Sequence, residues 1–321
     1  MKNIGKRIAL VFAGGTVLST AERLVVKTEA DITPWLHKVP EIGIMSAIEP
    51  FFARGEYDDL AGPEFWQSLT EKIHKLLIDF DSVVVISSFS DVADNAIATT
   101  FALENLNKPV IFTGSLLPMF GHRSRNLDPI GLRANLINAM QAATMDLPAV
   151  CLAYGNCLIR AVKSGRGDVD SNNVFTSSDD KYLARVDFGI SRHNDDTDEP
   201  EFIVNLKNNF VRNIVFLRYT PGLKIDIIET LLKNSAGLLI DNSTTELLPS
   251  FIQDLSLLNK PVTICNRFAK SVANGINLIN LHGLTKETAY IKMCWALGQT
   301  TDFAELRSLM LNDLRGEFTS N

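Results

Sequence analysis

The side chains best suited to chemistry lie in short loops, each following an apolar run. The first reads Ala13-Gly14-Gly15-Thr16-Val17. Two glycines let the backbone turn tightly and approach a ligand closely, leaving the Thr16 hydroxyl at the end of the run. A hydroxyl placed there can meet a ligand, but from spacing alone the cap of a plain turn is the preferred reading, since motifs this short also match by chance. The second loop reads Ser87-Ser88-Phe89-Ser90-Asp91, with Asp94 and Asn95 where a helix begins. Ser90 or Asp91 suits a helix N-cap, and carboxylates suit the first helical turn. Capping leaves Phe89 unexplained, an aromatic side chain in a loop expected to face a cleft. The third loop, Thr113-Gly114-Ser115-Leu116-Leu117-Pro118, precedes a basic turn with His122, Arg123 and Arg125. Arginines at a cleft mouth attract anions, though a solvated loop reads the same way.

These loops belong to a recognisable alternation. Non-alternating apolar runs at Arg7 to Ala13, Ser82 to Ile86, Pro109 to Thr113, Ala149 to Tyr154, Asn213 to Leu217, Ala236 to Ile240 and Pro261 to Cys265 read as strands buried on both faces. Amphipathic stretches of helical length separate them: Pro63 to Ile78, Ala93 to Leu106, Leu132 to Ala143, Lys224 to Lys233, Leu247 to Leu258 and Thr285 to Leu297. Strand and helix in turn predict an α/β protein with parallel sheets covered by helices, and ligands beyond the carboxyl ends of the strands. At 321 residues two domains are expected. The acidic segment His193 to Glu201 cannot bury a core, so the reading is an N-terminal domain over 1–192, a linker over 193–210 and a C-terminal domain over 211–321.

A net charge of −6 removes the usual electrostatic reason to expect nucleic acid or anionic lipid as partners. Cys151, Cys157, Cys265 and Cys294 are too scattered for a disulfide framework or a metal site, and read as reduced core thiols. No metal is expected. The run Ile8 to Ala13 is too short for a secretory signal and no stretch approaches a membrane span, so a cytoplasmic protein is expected.

The order of AGGTV, then PEFWQ at Pro63 to Gln67, LENLNKPVIFTGS at Leu103 to Ser115, RANLINA at Arg133 to Ala139 and LRGEFT at Leu314 to Thr319 resembles the bacterial type I (cytoplasmic) L-asparaginases over nearly the whole chain. The resemblance implies a larger N-terminal and a smaller C-terminal α/β domain, and a homodimer or homotetramer. It also implies hydrolysis of asparagine to aspartate and ammonia without a cofactor. The family's machinery is a nucleophilic threonine, a second threonine with an aspartate and a lysine for proton transfer, and backbone N–H groups for the oxyanion.

Carried over residue by residue, the resemblance keeps the first threonine as Thr16, beside Gly15. Aligned without gaps, it puts Phe89 in the seat of the second threonine and Ser90 in that of the aspartate. A shift by one residue would instead offer Ser90 and Asp91 as the hydroxyl and carboxylate, but the helix up to Lys108 and Pro109 would then need a compensating deletion, so the ungapped alignment is preferred. The lysine falls on Arg166, which cannot give up its proton, with Lys163 three positions away. The serine that binds the substrate carboxylate falls on Asp58, followed by Asp59. At about 4 Å two like charges cost on the order of 4 kcal/mol at a dielectric of 20, so Asp58 favours a ligand bearing an amine and lacking a free carboxylate. The family's lid tyrosine has no partner in Leu18 to Thr28, and Asp241 to Glu246 replaces its C-terminal glycine-rich loop. The candidate ligand-binding set is therefore Gly15, Asp58, Asp59, Ser88, Phe89, Ser90, Asp91, Ser115 and Arg166 around Thr16. Three functions fit it: an asparaginase-type amidohydrolase, a small-molecule-binding homologue that does not hydrolyse its ligand, and an enzyme of another substrate using Asp168 or Asp170.

Overall fold

A computed structural model describes residues 5–14, 26–54, 62–114, 131–167, 174–186, 190–192, 203–242, 247–266 and 277–319. The chain divides into two compact units, Met1–Leu206 and Lys207–Asn321.

In the first unit the strands are β1 (Arg7–Ala13), β2 (Ala47–Arg54), β3 (Ser82–Ser87), β4 (Leu103–Glu104), β5 (Val110–Thr113), β6 (Val150–Tyr154), β7 (Cys157–Arg160), β8 (Ser164–Arg166), β9 (Phe175–Ser177), β10 (Ala184–Val186), β11 (Ile190–Arg192) and β12 (Asn205–Leu206). Its α-helices are α1 (Ile32–Leu36), α2 (Ile42–Met45), α3 (Pro63–Asp79), α4 (Val92–Ala102) and α5 (Gly131–Ala143). Eight strands form one sheet in the order β11-β10-β7-β6-β5-β3-β1-β2. From β2 to β6 neighbours run parallel; β7, β10 and β11 extend the sheet antiparallel, so it is mixed rather than wholly parallel.

The apolar run of β1 is buried on both faces, as non-alternation requires. Ala9, Val11 and Ala13 join a core layer with Phe65, Leu69 and Ile73 of α3 and Val92 and Ala96 of α4. Ile8, Leu10 and Phe12 join the opposite layer with Trp35 and with Leu132, Leu136 and Met140 of α5. Because β1 lies between β2 and β3, the chain leaves it in one direction and returns on the other, a topological switch point at its carboxyl end.

Elements near the site depart from the sequence reading. The helix expected to reach Leu106 stops at Ala102, because Leu103–Glu104 pairs antiparallel with Asn205–Leu206 and Asn105 takes a left-handed φ of 56°. Strand β2 was not expected, since Pro50 interrupts it; it forms the edge of the sheet, where a missing N–H is tolerated. His74 Nε2 lies 2.9 Å from the Val204 carbonyl oxygen.

The second unit holds β13 (Ile214–Arg218), β14 (Gly237–Asn242), β15 (Val262–Asn266) and β16 (Leu278–His282), all parallel and in chain order, with α6 (Ile225–Leu232), α7 (Pro249–Ser256), α8 (Lys286–Gln299) and α9 (Phe303–Leu311). Lys292 of α8 is wholly buried and donates to the Asn312 carbonyl at 2.7 Å and to Glu317 at 2.5 Å, so the LRGEFT segment is an ion-paired clamp on α8. Burial alone would raise the Glu317 carboxyl, but its hydrogen bond with Asp313 and the charge of Lys292 hold it below its ordinary value.

No cysteine forms a disulfide, and burial pushes the thiols of Cys151, Cys265 and Cys294 up to about 12. Among the described residues no helix is long and apolar enough to cross a membrane, and no group of three or more His, Cys, Asp or Glu is placed to hold a metal ion.

Candidate active site

The carboxyl ends of the parallel strands in the first unit are tied into one patch by short polar links. The sheet register sets Ala13 of β1 level with Ser87 of β3 and Arg54 of β2. Gly114, just past β5, packs so close to Ser87 that an added Cβ would lie 2.4 Å from the Ser87 carbonyl oxygen. Asn135 of α5 donates to the Gly114 carbonyl at 2.7 Å and accepts from the Gly155 N–H at 3.0 Å, while Thr113 donates to the Ala153 carbonyl at 2.9 Å. The TGS and RANLINA motifs are thus two halves of one joint between the loops after β5 and β6.

Arg54 is the arginine that binds this patch to the loop after β3. Alternation along β2 would turn it toward the layer that holds Ile48 and Phe52. The register shift between Phe12 and Ala13 inserts one residue into β2, and Arg54 instead lies over the Phe65 ring at 4.2 Å, in the opposite layer. Its Nη2 donates to the Asp91 carboxylate at 2.6 Å and to the Ala13 carbonyl at 3.3 Å. Asp91 therefore sits at the end of β1. It occupies the N-cap position of α4, but its side chain caps nothing and is spent on Arg54.

The rest of the second loop gathers on that carboxylate. Ser88 and Ser90 Oγ atoms are 2.9 Å apart, and both hydroxyls favour the ionised form of the neighbouring Asp91 carboxyl. Burial pushes the Asp91 carboxyl up, yet Arg54 and the two hydroxyls outweigh it and hold the group below its ordinary value. Asp91 is thus an ionised carboxylate that accepts from Arg54, beside a pair of linked serine hydroxyls.

Arg166, at the end of β8, donates from Nη2 to the Ser90 carbonyl, and the same nitrogen lies 3.9 Å from the Asp94 carboxylate. The two carboxylates that open α4 are each met by an arginine. Lys163 is engaged elsewhere, 2.9 Å from Asp179, whose other oxygen accepts from Ser177 at 2.6 Å. Phe89 is half-buried, its ring 5.3 Å from Phe175 and 6.2 Å from Tyr154, centroid to centroid. The aromatic side chain that capping left unexplained closes the edge of the core layer beneath the hydroxyl loop.

Ser88, Phe89, Ser90, Asp91 and Arg166 are thus in one place. Gly15, Thr16, Asp58, Asp59 and Ser115 lie outside the described residues, as do Asp168 and Asp170. Arg54 was missed by sequence reasoning. Its signal was faint, an arginine closing an apolar stretch that a proline had disguised.

Residues 7–197 match the family described as Asparaginase, N-terminal. The chain belongs to the asparaginase family. It is similar to L-asparaginase 1 of Escherichia coli (strain K12), 26% identical over 342 residues, covering 98% of each chain. It is also similar to a glutamyl-tRNA(Gln) amidotransferase component of Thermococcus kodakarensis, 25% identical over 350 residues, covering 97% of this chain and 76% of the relative. The thermostable L-asparaginase from T. kodakarensis has the same fold, with a TM-score of 0.80 at 20% identity over 98% of this chain and all of that one. L-asparaginase I from Vibrio cholerae matches with a TM-score of 0.79 at 22% identity, again over 98% of this chain and all of its own. Asparaginase-family relatives of this kind are amidohydrolases. In this chain the patch described above lies at the switch point of the large sheet.

Proposed function

We propose that this asparaginase-family chain is an amidohydrolase that cleaves a small carboxamide, L-asparagine being the first to test, with Thr16 as nucleophile. The observation that carries the reading is the hydroxyl and carboxylate unit of Ser88, Ser90 and Asp91, tied through Arg54 to Ala13, three residues before Thr16. Ser90 and Asp91 replace the family's second threonine and aspartate. The Thr16 oxygen attacks the amide carbon and its proton passes through the Ser90 hydroxyl, which the neighbouring ionised Asp91 polarises. Ammonia leaves with that proton, and water then cleaves the acyl-threonine ester to release the acid. Neither metal nor organic cofactor enters these steps.

The active form in this reading is a cytoplasmic homodimer or homotetramer acting on an amino acid or amide. Purified protein is expected to release ammonia from L-asparagine above a Thr16→Ala control. Equal rates for the two refute it.

A second reading has its own support. Arg166 and Phe89 stand where the resemblance expects a lysine and a threonine, and both serve as structure, one pinning the Ser90 carbonyl and the other packing on Phe175. A binding homologue needs no more than that. Under this reading amine-bearing amides raise the melting temperature while no substrate is turned over.

A further inference from the structure

We propose that Arg54 is the positioning residue of this site, seating the Asp91 carboxylate at the end of β1, beside the linked Ser88 and Ser90 hydroxyls. The resemblance assigns nothing to this position, and the inference rests on the amidohydrolase reading only for its kinetic consequence.

Arg54 is 5% exposed, and a charge this deeply buried is held by its ion pair with Asp91 at 2.6 Å. One nitrogen is shared between a strand-end carbonyl, Ala13, and a loop carboxylate, Asp91. The Phe65 ring lies 4.2 Å from the guanidinium carbon and supports the group from the other side. A lysine there keeps the charge and loses the planar guanidinium. The bulge in β2 exists at the step that turns Arg54 onto this face, so the backbone itself is shaped to deliver it. Arg54 therefore does for the loop after β3 what Asn135 does for the loops after β5 and β6.

Among the described residues, the groups facing Asp91 are Arg54 from β2 and the hydroxyls of Ser88 and Ser90 from its own loop, with the Asp94 and Arg166 pair next along α4. Of these, removing Arg54 leaves the two hydroxyls to favour the ionised form.

The test is the titration of the Asp91 carboxyl carbon by NMR in labelled protein, assigned with Asp91→Asn, in wild type, Arg54→Lys and Arg54→Met. Asp91 is expected to titrate at higher pH in Arg54→Met than in wild type, with Arg54→Lys between. In the same proteins the acid limb of kcat/KM for L-asparagine is expected to move in the same direction, with kcat falling more than KM changes. An unchanged Asp91 titration in both variants overturns the proposal, as does a moved titration with an unmoved acid limb. If Arg54→Met fails to fold, Arg54→Lys alone decides by the same two readouts. Absence of hydrolysis in wild type defeats the amidohydrolase reading alone, and the titration then still upholds or overturns the seating of Asp91 by Arg54.

Discussion

Replacing Gly114 by alanine tests whether the strand ends are as closely joined as the site requires. The new Cβ would lie 2.4 Å from the Ser87 carbonyl oxygen, where real Cβ atoms essentially never come within 3.0 Å. The obstacle is backbone, held level with Ala13 in the parallel sheet, so no side chain can swing aside. The ends of β3 and β5 must part by more than half an ångström, which also strains the bond from Asn135 to the Gly114 carbonyl. Overpacking of this sort costs about 1–3 kcal/mol. A displacement on the order of 1 Å at a reacting centre costs about 100-fold in rate. Urea unfolding at constant m should therefore show a loss of about 1–3 kcal/mol, and any amide hydrolysis should fall further than the lost stability explains. Gly43→Ala is the control: it is exposed within α2 with nothing within 4 Å of the new atom, and it should gain about 0.5–1 kcal/mol. A Gly114→Ala protein as stable as wild type would refute the close joint, and with it the account of why TGS carries a glycine.

Three further outcomes follow from other contacts. Glu317→Gln strands the wholly buried Lys292 ammonium and should cost about 3–5 kcal/mol in urea unfolding, whereas Lys292→Met with Glu317→Gln should regain much of that. Asp91 and Asp179 both have carboxyls held low in the fold, so their stabilisation is present above the unfolded carboxylate range and is lost as pH falls through their folded values. Unfolding followed from neutral pH down to acid should show this, and Asp179→Asn should flatten that decline. Phe89→Ala removes ring contacts with Phe175 and Tyr154 from a half-buried position, so a loss of roughly 1–3 kcal/mol is expected by thermal unfolding.

Much of the fold was legible because its strongest signals are local. The run from Arg7 to Ala13, apolar after its first residue, can only be a strand covered on both sides, and the two core layers divide those side chains alternately. The helices of the second unit that the sequence reading placed came within two residues of their observed ends, since apolar spacing and the capping threonine at 285 lie in the same short window. Strand β2 was illegible, because Pro50 argues against any strand unless the strand is known to be an edge, and edge position is a property of the whole sheet. Strand β16 was illegible too: Leu278–His282 is short, and only pairing with β15 distinguishes it from a loop.

By itself the sequence determined which loops would carry the polar side chains, for the end of a buried strand is set by composition, and the serines and aspartate of the second loop could lie nowhere else. It could not determine what those groups would bond. That Asp91 turns to Arg54, 37 residues away, rather than to the helix it begins, depends on a one-residue bulge in a neighbouring strand. That Phe89 leans on Phe175, and Arg166 on the Ser90 carbonyl, depends on a hairpin folding back over the same loop. Backbone propensity acts over a few residues, but a hydrogen bond or an ion pair acts over a few ångströms, and only the folded chain converts one kind of neighbour into the other.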